Sequence, residues 1–496
     1  MALPDLIEIV PLTRPVRAEI TVPGSKSITN RALILAALAD GEVKLKGALW
    51  SEDTQIMVKC LQDLGYLVNV VPDKEEPCNR TITVAGQGGV VPPGGTETEP
   101  MELFVGNAGT AARFLTAFLC LGNGVYRLHG VPRMHERPQA ALFQALRELD
   151  CKVESEDGND KLPVRIFAGS AGRAAETQTE FEQRKATEAG PKKCKVSIAE
   201  SSQFASALLL SASVAGWQIE IEGENADESP YVVMTTKLIE VFPNKGGEFQ
   251  IEPDASSGSY FWAAGFFKRP SDFVDHFEHS KVWNPPGLHG PIGVSHWPES
   301  GWQMDQASRG LAMFGPIGFF TEKIGDQMYT DPQKREKFSA SLKKPEISRA
   351  TDLGDSIMTA IVIAPFYYTV SKFTDLGRLR VQECERVVAL RTELTKCGAR
   401  VEEESDTLTV YAAKPGELHG AEIETYDDHR MAMCFAILGL KVPGIKIKNP
   451  ACVKKTFPNF FQKLAAQPPY GLGVEIWGIE NGQRTKLLGG DELFAE

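Results

Sequence analysis

A turn rich in Gly, Ser, Asp and Asn runs into a helix of small apolar residues at six places along the chain, and this repeat constrains the fold most. The copies occupy residues 23–39, 106–122, 200–216, 253–267, 352–366 and 426–440. Each turn offers N-cap side chains, and each helix is apolar nearly all round, which predicts burial. Amphipathic helices alternate with this set, and several lead into β-branched stretches that are typical of strands. The pattern predicts an α/β (α+β) protein built from one helix–strand unit repeated six times.

The length of the chain, 496 residues, favours two or more domains. Two stretches interrupt the repeats and are predicted to be insertions, a polar one at residues 172–194 and a long one at about 270–345. An amphipathic helix is predicted inside the second stretch, at 302–315, and an added C-terminal tail at about 470–496. Loose repeats of this kind also occur in unrelated α/β proteins, so the pattern alone does not distinguish a true six-fold repeat from a chance similarity. The side chains in the turns provide further evidence.

The net charge of −12 argues against broad binding to nucleic acid or to an anionic membrane. No run of 18 apolar residues predicts a membrane span, and the N-terminal stretch does not resemble a secretory signal. The nine cysteines are scattered without a CxxC pair, which favours a reducing compartment over a zinc ribbon or a thioredoxin-type site. We therefore expect a cytoplasmic protein with neither a nucleic-acid nor a membrane partner.

Cations and hydroxyls gather at the starts of the helices, where the backbone N–H groups already make the helix end positive. The residues concerned are Lys26, Ser27, Arg31, Asn107, Gly109, Thr110, Arg113, Arg137, Ser201, Ser202, Gln203, Arg386, Arg430 and Lys455. Helix N-termini together with Ser hydroxyls and Arg side chains form anion sites. A single Arg near a helix start is more often solvated or paired with a carboxylate, and "SSQ" alone is an ordinary N-cap. Only the set as a whole predicts anionic ligands.

Carboxylates are candidates for acid–base chemistry in three of these turns: Asp355, Glu383, and the pair Asp427 and Asp428. A carboxylate at a helix start is usually a cap. Asp355 runs directly into a buried helix, and beside cationic ligand-holding groups it could serve as a general base.

Four of the eight histidines, at 276, 279, 289 and 296, lie in the long predicted insertion, where "DHFEH" could form half of a metal site. No second set of ligands with recognisable spacing follows, so no metal is predicted. A nucleophile-elbow motif for Ser-His-Asp catalysis is also absent from the sequence.

Seven motifs in order resemble those of the 3-phosphoshikimate 1-carboxyvinyltransferase (EPSP synthase) family. They are "PGSKSITNRALILAALA", "GNAGTAARFL", "PRMHERP", "SSQ", "DASSGSYF", "YDDHRMAM" and "KKTFP", and the resemblance covers roughly residues 15–465. It implies a two-domain, inside-out α/β barrel of six βαβαββ repeats, three in each domain. The implied domains are 1–22 with 245–496, and 23–244, with the buried helix ends facing a cleft between them.

The resemblance also implies the reaction, in which the enolpyruvyl group of phosphoenolpyruvate passes to the 5-hydroxyl of shikimate 3-phosphate and phosphate leaves. This is a step of the shikimate pathway of aromatic amino acid biosynthesis, catalysed without cofactor or metal, and the resemblance implies a monomer. Both substrates are anions, as the cationic turns require. Because the family's glyphosate pocket needs a small residue at Gly109, the resemblance further implies sensitivity to that inhibitor.

The residue roles implied by the resemblance fall into three sets. The residues implied to hold shikimate 3-phosphate are Lys26, Ser27, Arg31, Ser201, Ser202, Gln203, Asp355 and Gln382. Those implied to hold phosphoenolpyruvate are Lys26, Gly109, Arg137, Arg386, Arg430 and Lys455. Those implied to be catalytic are Asp355, which would take the proton of the 5-hydroxyl, together with Lys26 and Glu383.

Three positions depart from the family pattern. Gln382 in "RVQE" replaces a lysine, Glu228 stands at a usual serine, and Met304 in "WQMD" replaces a glycine. These departures keep open a second hypothesis, a catalytically impaired relative that acts as a binding or scaffold protein. A third, a UDP-N-acetylglucosamine enolpyruvyl transferase, is disfavoured because the loop "GVPRMHERP" lacks that family's reactive cysteine.

Overall fold

The computed structural model describes residues 3–14, 16–169, 191–223, 229–266, 292–311, 346–367 and 369–495. Of the predicted insertion at 172–194, residues 172–190 lie outside the described residues. Of the predicted insertion at 270–345, only 292–311 are described. Glu228 also lies outside the described residues. The chain divides into a continuous unit, Pro23–Glu252, and a discontinuous unit, Met1–Val22 with Pro253–Glu496. Within the described residues, no helix is both long enough and apolar enough to cross a membrane.

Three of the predicted buried helices form the centre of the continuous unit. Its helices are α1 (Lys26–Leu38), α2 (Glu52–Asp63), α3 (Gly109–Leu119), α4 (Pro132–Glu136), α5 (Ala140–Glu148), α6 (Ser202–Ala215) and α7 (Pro230–Val241). Helices α1, α3 and α6 pack against one another. Every residue of α3 is buried, as is every residue of α1 from Ile28 onward. Helices that are apolar all round are stable only in such an interior, which explains the pattern seen in the sequence.

The strands of this unit form sheets, and several of them contact these helices. The strands are β3 (Glu42–Leu49), β4 (Val68–Pro72), β5 (Asn79–Ala85), β6 (Met101–Phe104), β7 (Gly124–His129), β8 (Lys152–Ser155), β9 (Val164–Ala168), β10 (Lys193–Ser197), β11 (Gln218–Glu222) and β12 (Gly247–Gln250). Two sheets, β12-β3-β5-β4 and β6-β7-β9-β8, share one pattern, a parallel first pair followed by antiparallel pairs. Strands β10 and β11 form a separate parallel pair. Strand β12, which ends at Gln250, pairs with β3, and the continuous unit ends at Glu252.

The discontinuous unit repeats this organisation. Its helices are α8 (Ala255–Phe266), α9 (Ile357–Ile363), α10 (Arg386–Lys396), α11 (His429–Gly439) and α12 (Phe460–Ala465). Its strands are β1 (Leu6–Ile9), β2 (Ala18–Ile20), β13 (Ile292–Val294), β14 (Glu346–Ser348), β15 (Ser371–Thr374), β16 (Val401–Glu404), β17 (Thr407–Val410), β18 (Glu422–Ile423), β19 (Ile445–Lys448), β20 (Ile476–Glu480) and β21 (Gln483–Leu487). Helices α8, α9 and α11 pack against one another, as α1, α3 and α6 do.

The sheet β14-β15-β17-β16 has the same pattern of one parallel and two antiparallel pairs. The predicted C-terminal tail is part of a five-stranded sheet, β18-β19-β1-β20-β21, in which β20 pairs with β1. Residues after 470 therefore complete a sheet that also holds the first strand of the chain. Strands β2 and β13 form a parallel pair.

Two irregular turns lie in the discontinuous unit, one of them where a helix is predicted. The described part of the helix predicted at 302–315 is a 3-10 turn, Met304–Gly310. The turn and buried helix predicted at 352–366 are a π-helical turn, Arg349–Leu353, and a 3-10 turn, Gly354–Ser356, followed by α9. Gly354 has a φ of +55°, and a Cβ there would lie 3.0 Å from Oδ2 of Asp305. Glycine therefore permits this bend, and the bend brings Asp355 beside the other turn.

Candidate functional site

Arg31, in the middle of α1, is buried and has no carboxylate partner in the described part of the chain. Its Nε donates to Thr235 Oγ1 at 2.7 Å and its Nη2 donates to Ser206 Oγ at 2.9 Å. Its Nη1 donates to the backbone oxygen of Ser27 at 2.8 Å. Burial lowers the pKa of Arg31 to about 10. A charged group in such surroundings is costly unless an anion neutralises it.

Lys26, at the first position of α1, pairs with Asp53, whose Oδ2 lies 3.0 Å from the lysine Nζ. Asp53 is buried on α2, while about a fifth of the Lys26 side chain, 21%, is accessible to solvent. The lysine is thus held at the helix start with part of its surface available.

Gly109, which begins α3, is in close contact with the side chain of Arg137. A Cβ at Gly109 would lie 2.6 Å from Arg137 Nη2. The guanidinium is fixed there by donating from Nη1 to the backbone oxygen of Asn107 at 3.2 Å. The sequence-predicted pair of Gly109 and Arg137 is therefore adjacent, and it places a cation over the N-terminus of a buried helix.

The predicted "SSQ" turn contacts the same helix. Ser201 caps α6 by accepting from the backbone N–H of Gln203, and Ser202 is buried. Gln203 accepts from Arg113 Nη1 at 2.7 Å and donates from Nε2 to Thr110 at 3.2 Å. The continuous unit thus brings together the turns that begin α3 and α6.

Asp355, in the discontinuous unit, lies between two arginines. Arg349 Nη2 donates to its Oδ1 at 2.6 Å, and Arg430 Nη2 lies 3.4 Å from its Oδ2. Burial opposes the charge of the carboxyl, but Arg349, Arg430 and Arg386 together hold its pKa well below the usual value. Arg430 also donates to Ser256 Oγ at 3.2 Å.

A second carboxylate, Asp305, faces the first. Its Oδ1 accepts from the backbone N–H of Ser356 at 2.7 Å. Burial, and next the charge of Asp355, raise the pKa of Asp305 to about 6. Two neighbouring carboxyls with pKa values moved in opposite directions are typical of a site where a proton is exchanged.

Arg386, at the start of α10, joins several predicted residues in one buried cluster. Its Nε donates to Asp428 Oδ2 at 2.7 Å, and its Nη2 donates to Glu383 Oε2 at 2.6 Å. Lys455 Nζ lies 2.9 Å from the other oxygen of Glu383. Within the described residues Arg386 Nη1 is buried without a hydrogen-bond partner. Although burial disfavours the charge, Asp428 and Glu383 raise the pKa of Arg386 above its ordinary value.

Gln382, where a lysine was expected, is half-buried and makes no side-chain hydrogen bond to the described residues. Two residues of the site were not predicted from the sequence, Arg349 and Asp305. Asp305 is the last residue of the "WQMD" motif, which could have identified it as a site residue. Arg349 lies in none of the motifs found in the sequence. Asp428, a candidate acid in the sequence, caps α11 and pairs with Arg386. Among the described residues, no three His, Cys, Asp or Glu side chains are placed to hold a metal ion.

The comparisons with known proteins agree with one another. The family model of EPSP synthase (3-phosphoshikimate 1-carboxyvinyltransferase) matches residues 11–272 and 315–464. A protein of Trichormus variabilis named 3-phosphoshikimate 1-carboxyvinyltransferase is 35% identical over 484 residues, 93% of this chain and 98% of that protein. One of the same name from Opitutus terrae is 36% identical over 473 residues, 94% of this chain and 98% of that protein.

Two solved structures are similar in fold. EPSP synthase from Acinetobacter baumannii is 18% identical and has a TM-score of 0.59, with 95% of this chain and 99% of that chain covered. The enolpyruvyl transferase NikO from Streptomyces tendae is 13% identical and has a TM-score of 0.55, with 95% and 98% covered.

Proposed function

This chain belongs to the EPSP synthase (3-phosphoshikimate 1-carboxyvinyltransferase) family, and from that premise we propose how its residues perform the family's reaction. The chain is an enzyme of the shikimate pathway, which transfers the enolpyruvyl group of phosphoenolpyruvate to shikimate 3-phosphate. The products are 5-enolpyruvylshikimate 3-phosphate and phosphate. The assignment of substrates to residues below is the proposal.

Shikimate 3-phosphate is bound by Lys26, Ser27, Arg31, Ser201, Ser202, Gln203, Asp355 and Gln382. The observation that carries this assignment is the burial of Arg31 among hydroxyl and carbonyl oxygens with no carboxylate of the described residues beside it. A phosphate supplies the countercharge that this arginine lacks.

Phosphoenolpyruvate is bound by Lys26, Gly109, Arg137, Arg386, Arg430 and Lys455. Arg386 retains a buried N–H group, Nη1, for which the described residues offer no acceptor. An unmade hydrogen bond in the interior is costly, and a carboxylate or phosphate oxygen removes that cost. Gly109 leaves room for the guanidinium of Arg137 over the start of α3.

Asp355 acts as the general base. The 5-hydroxyl oxygen bonds to C2 of phosphoenolpyruvate while its proton passes to Asp355 and C3 gains a proton. The C2–O bond to phosphate then breaks, and C3 loses a proton as the double bond returns. Glu383, which lies between Arg386 and Lys455, exchanges the proton at C3 together with Lys26. The surrounding cations stabilise the charge on the leaving phosphate.

We also propose the finer architecture of the family for this chain. It is an inside-out α/β barrel of two domains, each with three βαβαββ units, and the pattern shared by three of the sheets supports this. The proposed domains are 1–22 with 245–496, and 23–244, and the division of the chain into Met1–Val22 with Pro253–Glu496 and Pro23–Glu252 supports two such domains. The enzyme acts as a cytoplasmic monomer, without cofactor and without a nucleic-acid partner.

A coupled phosphate-release assay with both substrates tests the proposal, with Lys26→Ala as the inactive reference. We expect release that depends on shikimate 3-phosphate and that is not supported by UDP-N-acetylglucosamine. Release no faster than that of Lys26→Ala would overturn the assignment. If calorimetry then showed that shikimate 3-phosphate still binds, the chain would be a binding protein instead.

A further inference from the structure

Arg349 has no role in the binding and catalytic sets above, yet it makes a short contact with the proposed base. It begins the π-helical turn Arg349–Leu353, directly after β14. Its Nη2 donates to Asp355 Oδ1 at 2.6 Å, and the two side chains are only 9% and 12% exposed. A buried, charge-assisted hydrogen bond of this length fixes both the position and the ionisation of a carboxylate.

The two oxygens of Asp355 have different surroundings. Oδ1 is occupied by Arg349, whereas the longer contact to Arg430, at 3.4 Å, is the one that the described part of the chain makes with Oδ2. Arg430 is assigned to phosphoenolpyruvate, so substrate competes with Asp355 for that guanidinium. Because no substrate contact is assigned to Arg349, we expect it to stay with Oδ1. The remaining oxygen, Oδ2, is therefore the one available to accept a proton.

In the part of the chain that the structure describes, the ionisable groups that face Asp355 lie on four elements: Arg349 on the π-helical turn, Asp305 on the 3-10 turn, Arg386 on α10 and Arg430 on α11. Asp305 opposes the negative charge of Asp355, and the three arginines favour it. Among these arginines, Arg349 makes the shortest contact and has no proposed substrate role. Its removal therefore changes the surroundings of the base without removing a proposed ligand contact.

We propose that Arg349 is a positioning residue for the reaction, which keeps Asp355 charged and turns its Oδ2 toward the substrate hydroxyl. The inference rests on the proposed function, because it takes Asp355 to be the base. The hydroxyl proton moves to Oδ2 as the hydroxyl oxygen bonds to C2 of phosphoenolpyruvate. Arg349 itself neither gains nor loses a proton in this step.

The pH dependence of kcat/KM for shikimate 3-phosphate tests the inference in the wild type, Arg349→Lys and Arg349→Gln. Loss of the guanidinium raises the pH at which Asp355 becomes protonated, so the acidic limb of the Arg349→Gln profile moves up by about 1–3 pH units. Arg349→Lys keeps the charge and restores most of the wild-type profile. Arg484→Gln is the matched control, because Arg484 pairs with Glu8 at 2.8 Å in the same unit and has no site role.

A titration of the Asp355 carboxyl, followed by carbon NMR of aspartate-labelled protein, gives a readout that needs no turnover. The resonance that is lost in Asp355→Asn is that of the Asp355 carboxyl. Making Asp355→Asn in the Arg349→Gln protein identifies the same resonance there. An unmoved resonance and an unmoved acidic limb in Arg349→Gln would overturn the inference, even if activity fell at every pH. If the wild type released no phosphate, the proposed function would fail, and the NMR titration alone would decide the effect of Arg349 on Asp355.

Discussion

The guanidinium of Arg137 lies so close to the α-carbon of Gly109 that a Cβ added there would be 2.6 Å from Nη2 and 2.7 Å from Nη1. Even the smallest side chain at position 109 must therefore displace Arg137, an arginine that also donates to the backbone oxygen of Asn107. The position of Arg137 therefore depends on the absence of a side chain at Gly109.

Gly109→Ala is expected to raise KM for phosphoenolpyruvate by roughly 10-fold, which corresponds to about 1.4 kcal/mol of binding, with a smaller change in kcat. Displacement of Arg137 weakens a cationic contact without touching the proposed base. Steady-state kinetics with glyphosate as a competitor provide the measurement, and we expect the inhibition constant to rise at least as much as KM. An unchanged KM for phosphoenolpyruvate would show that Arg137 does not hold that substrate.

Arg31→Met is expected to raise KM for shikimate 3-phosphate by about 10- to 100-fold, the range for losing a hydrogen bond to a charged group. Methionine removes a buried charge that has no carboxylate partner among the described residues, so the unliganded protein should unfold at the same temperature as the wild type or above it. Thermal unfolding with and without shikimate 3-phosphate measures both effects. Equal stabilisation of wild type and variant by the ligand would contradict the assignment.

Asp305 should make the stability of the protein depend on pH. Its pKa is about 6 in the folded protein, against an ordinary value of 3.8, so the folded state holds a proton that the unfolded state releases. The contribution of this group to stability is complete below about pH 4 and declines as pH rises through 6, by about 3 kcal/mol in total. Relative to wild type, Asp305→Asn should therefore gain stability as pH rises from 4 to 7.

Urea unfolding at several pH values measures that difference. Asparagine keeps an oxygen that can accept from the Ser356 N–H, so the variant changes the titration with little change in shape. If the free energies of unfolding of wild type and variant differed by the same amount at every pH between 4 and 7, Asp305 would be ionised throughout that range.

Asp428→Ala should destabilise the protein by about 3–5 kcal/mol, because it leaves Arg386 buried without its main countercharge. The two side chains are only 0% and 1% exposed. Arg400→Ala is the control, since its pair with Glu402 is largely exposed and pairs of that kind contribute about 0–1 kcal/mol. Urea unfolding measures the free energy of unfolding of the two variants. If both lost a similar amount, burial would not strengthen the contribution of the Asp428–Arg386 pair to stability.

The sequence predicted what depends on local pattern. The buried helices follow from their apolar residues, and the structure confirms them in α1, α3 and α11. The family and its reaction were predicted from motifs at the helix starts and are confirmed by the comparisons. The assignment of individual residues to substrates remains a prediction.

The contacts that were missed depend on the path of the chain through irregular turns. The partnership of Arg349 with Asp355 requires a π-helical turn that begins before the turn predicted from residue 352, followed by a glycine with positive φ. The approach of Asp305 to Asp355 joins two turns about 50 residues apart in sequence, with Ser356 N–H as the link. No periodicity or spacing signals such contacts, because they arise from packing between segments.

Gln382 stands where the resemblance implies a lysine, and Gln382→Lys is expected to raise kcat/KM for shikimate 3-phosphate by roughly 2- to 10-fold. The amide makes no side-chain hydrogen bond to the described residues, so its replacement breaks no observed contact. A lysine there adds positive charge next to Glu383 in sequence, where an anionic substrate is proposed to bind, and a typical net hydrogen bond is worth about 0.5–1.5 kcal/mol. The phosphate-release assay at low shikimate 3-phosphate measures the effect, with Gln382→Met as the uncharged control of similar length. If the lysine variant proved no faster than wild type while the methionine variant lost activity, the amide itself would be the functional group at this position. The cations already present around Asp355 and Glu383 would then account for the charge that the substrate needs.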